Sequence, residues 1–198
     1  MSRHSKRSAN GLGRVKRFRS NKDGSTAIEF ALIAPVFMMI MFSLFEVGWF
    51  YYTNSVVDAS ISDAGRLIKT GQVQRSGLSE AGKEALIFNE VCKALKLINN
   101  CQNNLTVEVD TFNNFAVFND PAQATAPVCP DATEAEQDAI PFEPGGELEI
   151  VRVRVCFFYK TVNPAIGINL SEPGKNYRRL ISSIIFRNEP YERENEQG

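Results

Sequence analysis

Four cysteines, one histidine and two acids placed in or beside an apolar run are the residues of this chain whose types and positions could do chemistry. Cys92, Cys101, Cys129 and Cys156 form an even set, which in an oxidising compartment gives two disulfides with three possible connectivities. The favoured pairing joins Cys92 to Cys101, tying a helix to the strand after it, and Cys129 to Cys156, pinning a long connection onto a strand. There is no Cys-x-x-Cys spacing and the single histidine is His4, so neither a metal site nor any other cofactor is expected. No glycine-rich phosphate loop appears, and the acids of the carboxy-terminal part show no recognisable pairing, so they read as a solvated face. The expectation is a structural protein, with no enzymatic activity and no small-molecule substrate.

The acids Glu29 and Glu46 lie in the part of the chain with the strongest patterning. Eight of the first 24 residues are Lys or Arg against the single acid Asp23, a leader of formal charge +7. Phe30 to Phe45 then carries no formal charge, and Val47 to Tyr52 prolongs the apolar character beyond Glu46. From Ala27 to Trp49 the segment can cross a hydrocarbon layer of about 30 Å at about 1.5 Å per residue. Basic flanks stay cytoplasmic, so the amino terminus is expected inside and everything after Tyr52 outside. A secretory signal places its apolar region before the cleavage site and ends in small residues; the order here is the reverse.

Removing the leader from 22 bases and 23 acids leaves 14 against 22, a net charge of −8. An acidic exported part argues against a nucleic-acid partner. The leader itself reads as an orientation signal and a patch for anionic lipid.

An acid costs about 2.5–3.5 kcal/mol at the centre of a membrane helix and less near an end, so Glu29 is expected to be retained for a partner. Pro35 removes a backbone donor and can kink the helix. Trp49, Phe50, Tyr51 and Tyr52 form an aromatic anchor at the outer interface, with Trp49, Tyr51 and Tyr52 its chief members, and Glu46 beside them reads as a solvated interfacial acid.

The elements that must position these residues follow from periodicity. Val57, Ile61, Ala64, Leu67 and Ile68 continue an apolar stripe to a glycine stop at Gly71, giving one helix of about 65 Å from Ala27 to Thr70. Ser79 and Glu80 open a second helix with Ala85, Leu86, Phe88, Val91, Leu95 and Ile98 on its apolar side, ending at Asn99 and Asn100. Leu105, Val107 and Val109 alternate as a strand. Residues 113–146 read as a long exposed connection with a short helix at 132–139. Leu148 to Tyr159 is the strongest strand, with Val151, Val153 and Val155 facing one way and Arg152 and Arg154 the other, and Arg179 to Arg187 supplies another. The fold class is α+β: a long amino-terminal helix, then a small domain in which an antiparallel sheet packs on that helix and a second one. The divisions are 1–24 as leader, 25–71 as membrane helix and stalk, and 72–198, about 130 residues, as one outer domain.

The block from Gly24 to Phe37, GSTAIEFALIAPVF, resembles the processing site of type IV pilin-like proteins. There a membrane peptidase cuts after glycine and the fifth mature residue is glutamate. The run through Glu46, Gly48 and Trp49 to Ala64, Gly65, Arg66, Leu67, Thr70 and Gly71 resembles the TadE-like pseudopilins of the tight-adherence (Flp) pilus system. The resemblance implies processing between Gly24 and Ser25, leaving the anchor on the product, with Glu29 and Phe30 as assembly contacts. A freed amine on Ser25 would lie about one helical turn from Glu29, which could meet its own amine or a neighbour's. The implied partners are a prepilin peptidase, other Tad pilins and pseudopilins, the inner-membrane assembly platform and the lipid bilayer. The implied location is the bacterial inner membrane, single pass, with a periplasmic carboxy-terminal domain. The function so implied is a TadE-like minor pseudopilin or accessory subunit of an adhesive pilus, with the choice among the related TadE, TadF and TadG types left open. A major Flp pilin is little more than the helix, whereas this chain keeps a large outer domain. The competing reading is a permanently anchored periplasmic binding or adhesion module that belongs to no filament.

Overall fold

In a computed structural model the described residues are 24–98, 100–119, 127–162 and 167–191. The leader up to residue 23, with His4, lies outside them, as do Asn99 and residues 120–126 in the middle of the long connection.

Helix α1 runs over Ser25–Lys69, 45 residues. Its helical path continues through Pro35, whose missing donor is one bond out of a ladder that neighbouring residues maintain. The stop is chemical. The amide of Gly71 donates to the Ile68 carbonyl at 2.9 Å and that of Gln72 to the Leu67 carbonyl at 3.0 Å, a Schellman closure that needs a left-handed residue. Gly71 supplies it with φ of +72°. The ring of Tyr191 lies where a side chain would begin, 2.4 Å from the position a Cβ would take. Gly71→Ala therefore combines left-handed strain with a ring that must move, and should cost about 2 kcal/mol or more in a denaturant titration. Stability within experimental error of the wild type would show that the helix end and Tyr191 shift freely.

Helix α2 spans Glu80–Leu95. Ser79 caps it, its hydroxyl accepting from the Gly82 amide, which supplies a partner for one of the first orphan N–H groups. The buried stripe is Ile87, Val91 and Leu95. This corrects the sequence reading, in which Ala85 stood on the apolar face and Ile87 did not: Ala85 is exposed. Three apolar residues in a row, Leu86 to Phe88, leave the phase of the helix ambiguous, and the four-residue spacing back from Val91 settles it. The helix also stops four residues before Asn99, in a turn closed by the Ile98 amide on the Leu95 carbonyl.

Three strands, β1 (Leu105–Phe112), β2 (Ile150–Lys160) and β3 (Tyr177–Arg187), form an antiparallel sheet in chain order with β2 central. Strand β2 begins two residues later than Leu148 because Leu148 takes a φ of 61°, a turn conformation incompatible with a pleated strand. One face of the sheet contributes Leu105, Val107, Val109, Val151, Val153, Val155, Phe157, Tyr159 and Leu180 to a core with Val57, Ile61, Ala64 and Ile68 of α1 and the α2 stripe. Gly65 lets α1 close on β3. A Cβ there would fall 2.3 Å from Ile184 Cδ1 and 3.0 Å from Phe186 Cε1. The architecture is thus α+β, a long helix leading a second helix and a three-stranded antiparallel sheet, in a pilin-like layout.

The connection between β1 and β2 carries the short helix expected within 132–139 and further structure besides. It contains a 3-10 turn, Phe115–Asn119, and helix α3, Glu134–Asp138. Near its end the chain returns beside β1, where the Val109 amide donates to the Pro141 carbonyl at 3.0 Å and the Glu143 amide to the Val109 carbonyl at 2.8 Å. The outer edge of β1, a row of otherwise free backbone groups, is partly sealed there by its own connection.

Candidate functional site

The two halves of α1 meet different surroundings. From Ile28 to Phe45 the large apolar side chains stand exposed except for half-buried Met41, and none of the most apolar stretch is buried against the domain. Among the described residues it is the one helix long and apolar enough to cross a membrane. Gly24 precedes the helix at its amino-terminal end and Ser25 is its first residue. Ser25 and Glu29 are four apart in a continuous helix and so share one face, about 6 Å apart along the axis. Glu29, Phe30 and Pro35 all lie on the exposed half.

The character changes at Glu46. Its side chain is 1% exposed, its Oε1 accepting from the Tyr159 hydroxyl at 2.9 Å and its Oε2 from the Val162 amide at 3.1 Å. The expectation of a solvated interfacial acid is therefore wrong. Glu46 turns inward because it lies on the same face as the core stripe: Glu46, Thr53, Val57, Ile61, Ala64 and Ile68 are all buried, and their separations are multiples or sums of three and four. Apolar residues alone start the stripe at Val57, and the polar members Thr53 and Glu46 extend it back down the helix. Burial raises the pKa of the Tyr159 hydroxyl well above its ordinary value, and the Glu46 carboxylate raises it further, so Tyr159 stays a donor at any physiological pH.

One turn below, the Ser43 hydroxyl donates to the Met39 carbonyl at 2.8 Å and accepts from the Ile168 amide at 3.1 Å. Both ends of the β2–β3 connection are thereby tied to α1 where its apolar half stops. Around the helix from these contacts, Trp49, Tyr51 and Tyr52 are exposed, with the Trp49 and Tyr52 rings 5.4 Å apart. Phe50 instead packs edge-on against Tyr159 at 5.5 Å, under the Arg178 guanidinium at 5.4 Å.

The acids of β1 are likewise not a solvated face. Glu108 and Asp110 stand opposite Arg154 and Arg152 in the strand register. Arg154 lies 2.6 Å from Glu108 and 3.7 Å from Asp110, and Arg152 lies 3.0 Å from Asp110. Glu108, Arg152 and Arg154 are buried. The four charges cancel across two strands, and they pair because register places opposite signs face to face.

The structure joins Cys92 to Cys101 and Cys129 to Cys156, with Cα separations of 5.7 and 5.2 Å. The second bond fixes the connection to central strand β2. Beside it, Asp131 accepts from Lys175 and Tyr177 and faces Arg179 at 3.5 Å. The Lys175 hydrogen bond, helped by Tyr177 and Arg179 and opposed by burial, holds the Asp131 carboxyl below its usual pKa. The link is present above the ordinary carboxylate range and is lost as pH falls through the lowered value. Among the described residues no group of three His, Cys, Asp or Glu side chains is placed to hold a metal ion.

No curated protein and no solved structure matches the chain. A family model does match, and its limits coincide with the features above: it begins at Gly24, spans the exposed apolar half and the Glu46 junction, and stops one turn before the end of α1. Residues 24–66, about a fifth of the 198 in the chain, match the family model of TadE-like protein.

Proposed function

We propose that this protein is a minor pseudopilin or accessory subunit of Tad pilus assembly, made as a precursor and cut between Gly24 and Ser25 by a prepilin peptidase. The observation that carries the reading is the coincidence of the TadE-like match, starting at Gly24, with a helix whose first half is apolar and exposed. In this reading α1 is a single-pass anchor in the inner membrane, with the leader in the cytoplasm and the domain in the periplasm. The partners are other Tad pilins and pseudopilins and the assembly platform, and the chain has a structural role without catalysis. Ser25 and Glu29 share a face, so the amine released by cleavage lies within reach of a carboxylate at the edge of the bilayer core, where a charged pair is less screened than in bulk water. Glu29 and Phe30 are then assembly contacts. Trp49, Tyr51 and Tyr52 are the outer anchor, and Pro35 is a tolerated bend.

The test is the amino-terminal sequence and intact mass of protein recovered from membranes, with and without reductant. A start at Ser25 is the expected result, with a mass gain on reduction from two disulfides. An intact Met1 in cells with an active prepilin peptidase would leave the permanently anchored module as the better account. In processed protein, Glu29→Ala should lower pilus output, and unchanged output would remove its assembly role.

A further inference from the structure

The β2–β3 connection bonds to α1 at its described ends, where the apolar half of the helix stops. Its first residues bond to Glu46 through the Val162 amide, and its far side reaches Ser43 through the Ile168 amide. Ala27 to Phe45 covers about 28 Å along a straight helix, which fills a hydrocarbon core of about 30 Å. Glu46 therefore stands at the edge of that core, and Ser43 about 4 Å below it. A backbone group bonded to Ser43 is at headgroup depth or deeper.

The side chains there suit that depth. Val162 is 64% exposed and Ile168 49% exposed, although both belong to a domain whose other large apolar groups mostly have a core to enter. Just above them are cations: Lys160 at the end of β2 and Arg178 near the start of β3 are both exposed. Apolar groups at the acyl boundary with basic groups at phosphate level are the order that an anionic bilayer surface selects. On α1, Leu44 and Phe45, the residues between Ser43 and Glu46, are exposed as well.

We propose that the ends of the β2–β3 connection, through Val162 and Ile168, insert into the outer-leaflet interface of the bilayer that α1 crosses. The occupant of this surface is lipid. The domain then rests on the membrane at two places, the helix and this connection, and its tilt is fixed. Unpaired loop backbone does not enter hydrocarbon, so the insertion stops at the interface, which is about 5–8 Å deep on each side. The inference rests on α1 being a membrane span, and the experiment separates the two claims.

Single cysteines, Val162→Cys, Ile168→Cys, Leu44→Cys and Leu97→Cys, are labelled with an environment-sensitive fluorophore in the full chain. The native cysteines are all disulfide-bonded among the described residues. The proteins are reconstituted at low density into vesicles of phosphatidylcholine and phosphatidylglycerol carrying nitroxide lipids. Leu97, 90% exposed on the domain, reports water, and Leu44 reports the span. The expected result is blue-shifted emission with strong nitroxide quenching at Leu44, a smaller shift and clear quenching at Val162 and Ile168, and neither at Leu97. Quenching at Leu44 with Val162 and Ile168 indistinguishable from Leu97 overturns the insertion and leaves the span intact. A blue shift at Val162 and Ile168 without lipid quenching would mean that protein covers them, and also overturns it. Absence of quenching at Leu44 overturns both.

Discussion

Glu46→Ala is expected to destabilise the domain by about 3 kcal/mol and to loosen it from the helix. The substitution strips the acceptor from one buried donor, the Tyr159 hydroxyl, and from one part-buried donor, the Val162 amide. Each orphaned donor costs about 1–3 kcal/mol, and relief from burying a carboxylate offsets part of the sum. Glu46→Gln should recover only part of the loss, because its carbonyl can take one donor while its amide group presents N–H against N–H to the other. Tyr159→Phe should cost less than Glu46→Ala, since it leaves the Val162 bond in place. Chemical denaturation in detergent gives the energies, and hydrogen exchange at the Val162 amide reports the local opening. If Glu46→Ala unfolds within about 0.5 kcal/mol of wild type, as surface substitutions do, the carboxylate does not hold the junction.

The second large effect is expected at the charges between β1 and β2. Glu108→Ala leaves the Arg154 guanidinium buried with only the longer Asp110 contact among the ion pairs described, and removal of one partner from a buried pair costs about 3–5 kcal/mol. Replacing both sides with apolar residues of similar volume, Glu108→Leu with Arg154→Met, should cost far less than the two single changes added together, since it leaves no buried charge without its partner. Urea denaturation of the four proteins gives the coupling directly. Simple additivity of the single losses would mean that the two groups act independently despite their 2.6 Å separation.

These two sites are also where the sequence was least legible, for a common reason. The alternation of Val151, Val153 and Val155, the Ser79 cap and the stop at Gly71 are local patterns, and each specifies its element without help from distant chain. The fate of a polar residue depends on what stands opposite. Arg152 and Arg154 alternate out of the core as their spacing requires, yet they are buried because register sets Asp110 and Glu108 beside them. Glu46 was read by its neighbours, four aromatic residues suited to an interface, rather than by its phase on the stripe that Val57 and Ile61 continue. Extending the stripe backwards by whole turns, with polar residues admitted, would have found it. The return of residues 140–143 along β1 had no periodic signal, since its strand-like pairing is made by backbone groups and one side-chain bond, from the Thr111 hydroxyl to Glu143.

Tyr159 belongs to the middle strand of the sheet, which makes the Glu46 junction mechanical as well as energetic. At the Glu46 junction, a pull along α1 is passed to the end of β2, a strand laddered on both sides. An edge strand can be peeled away one bond at a time from its single neighbour. A central strand loaded at its end shares the load between two ladders, which must slip together. The attachment point thus lets the domain follow its helix, when force is applied along the rod, without unravelling from a free margin.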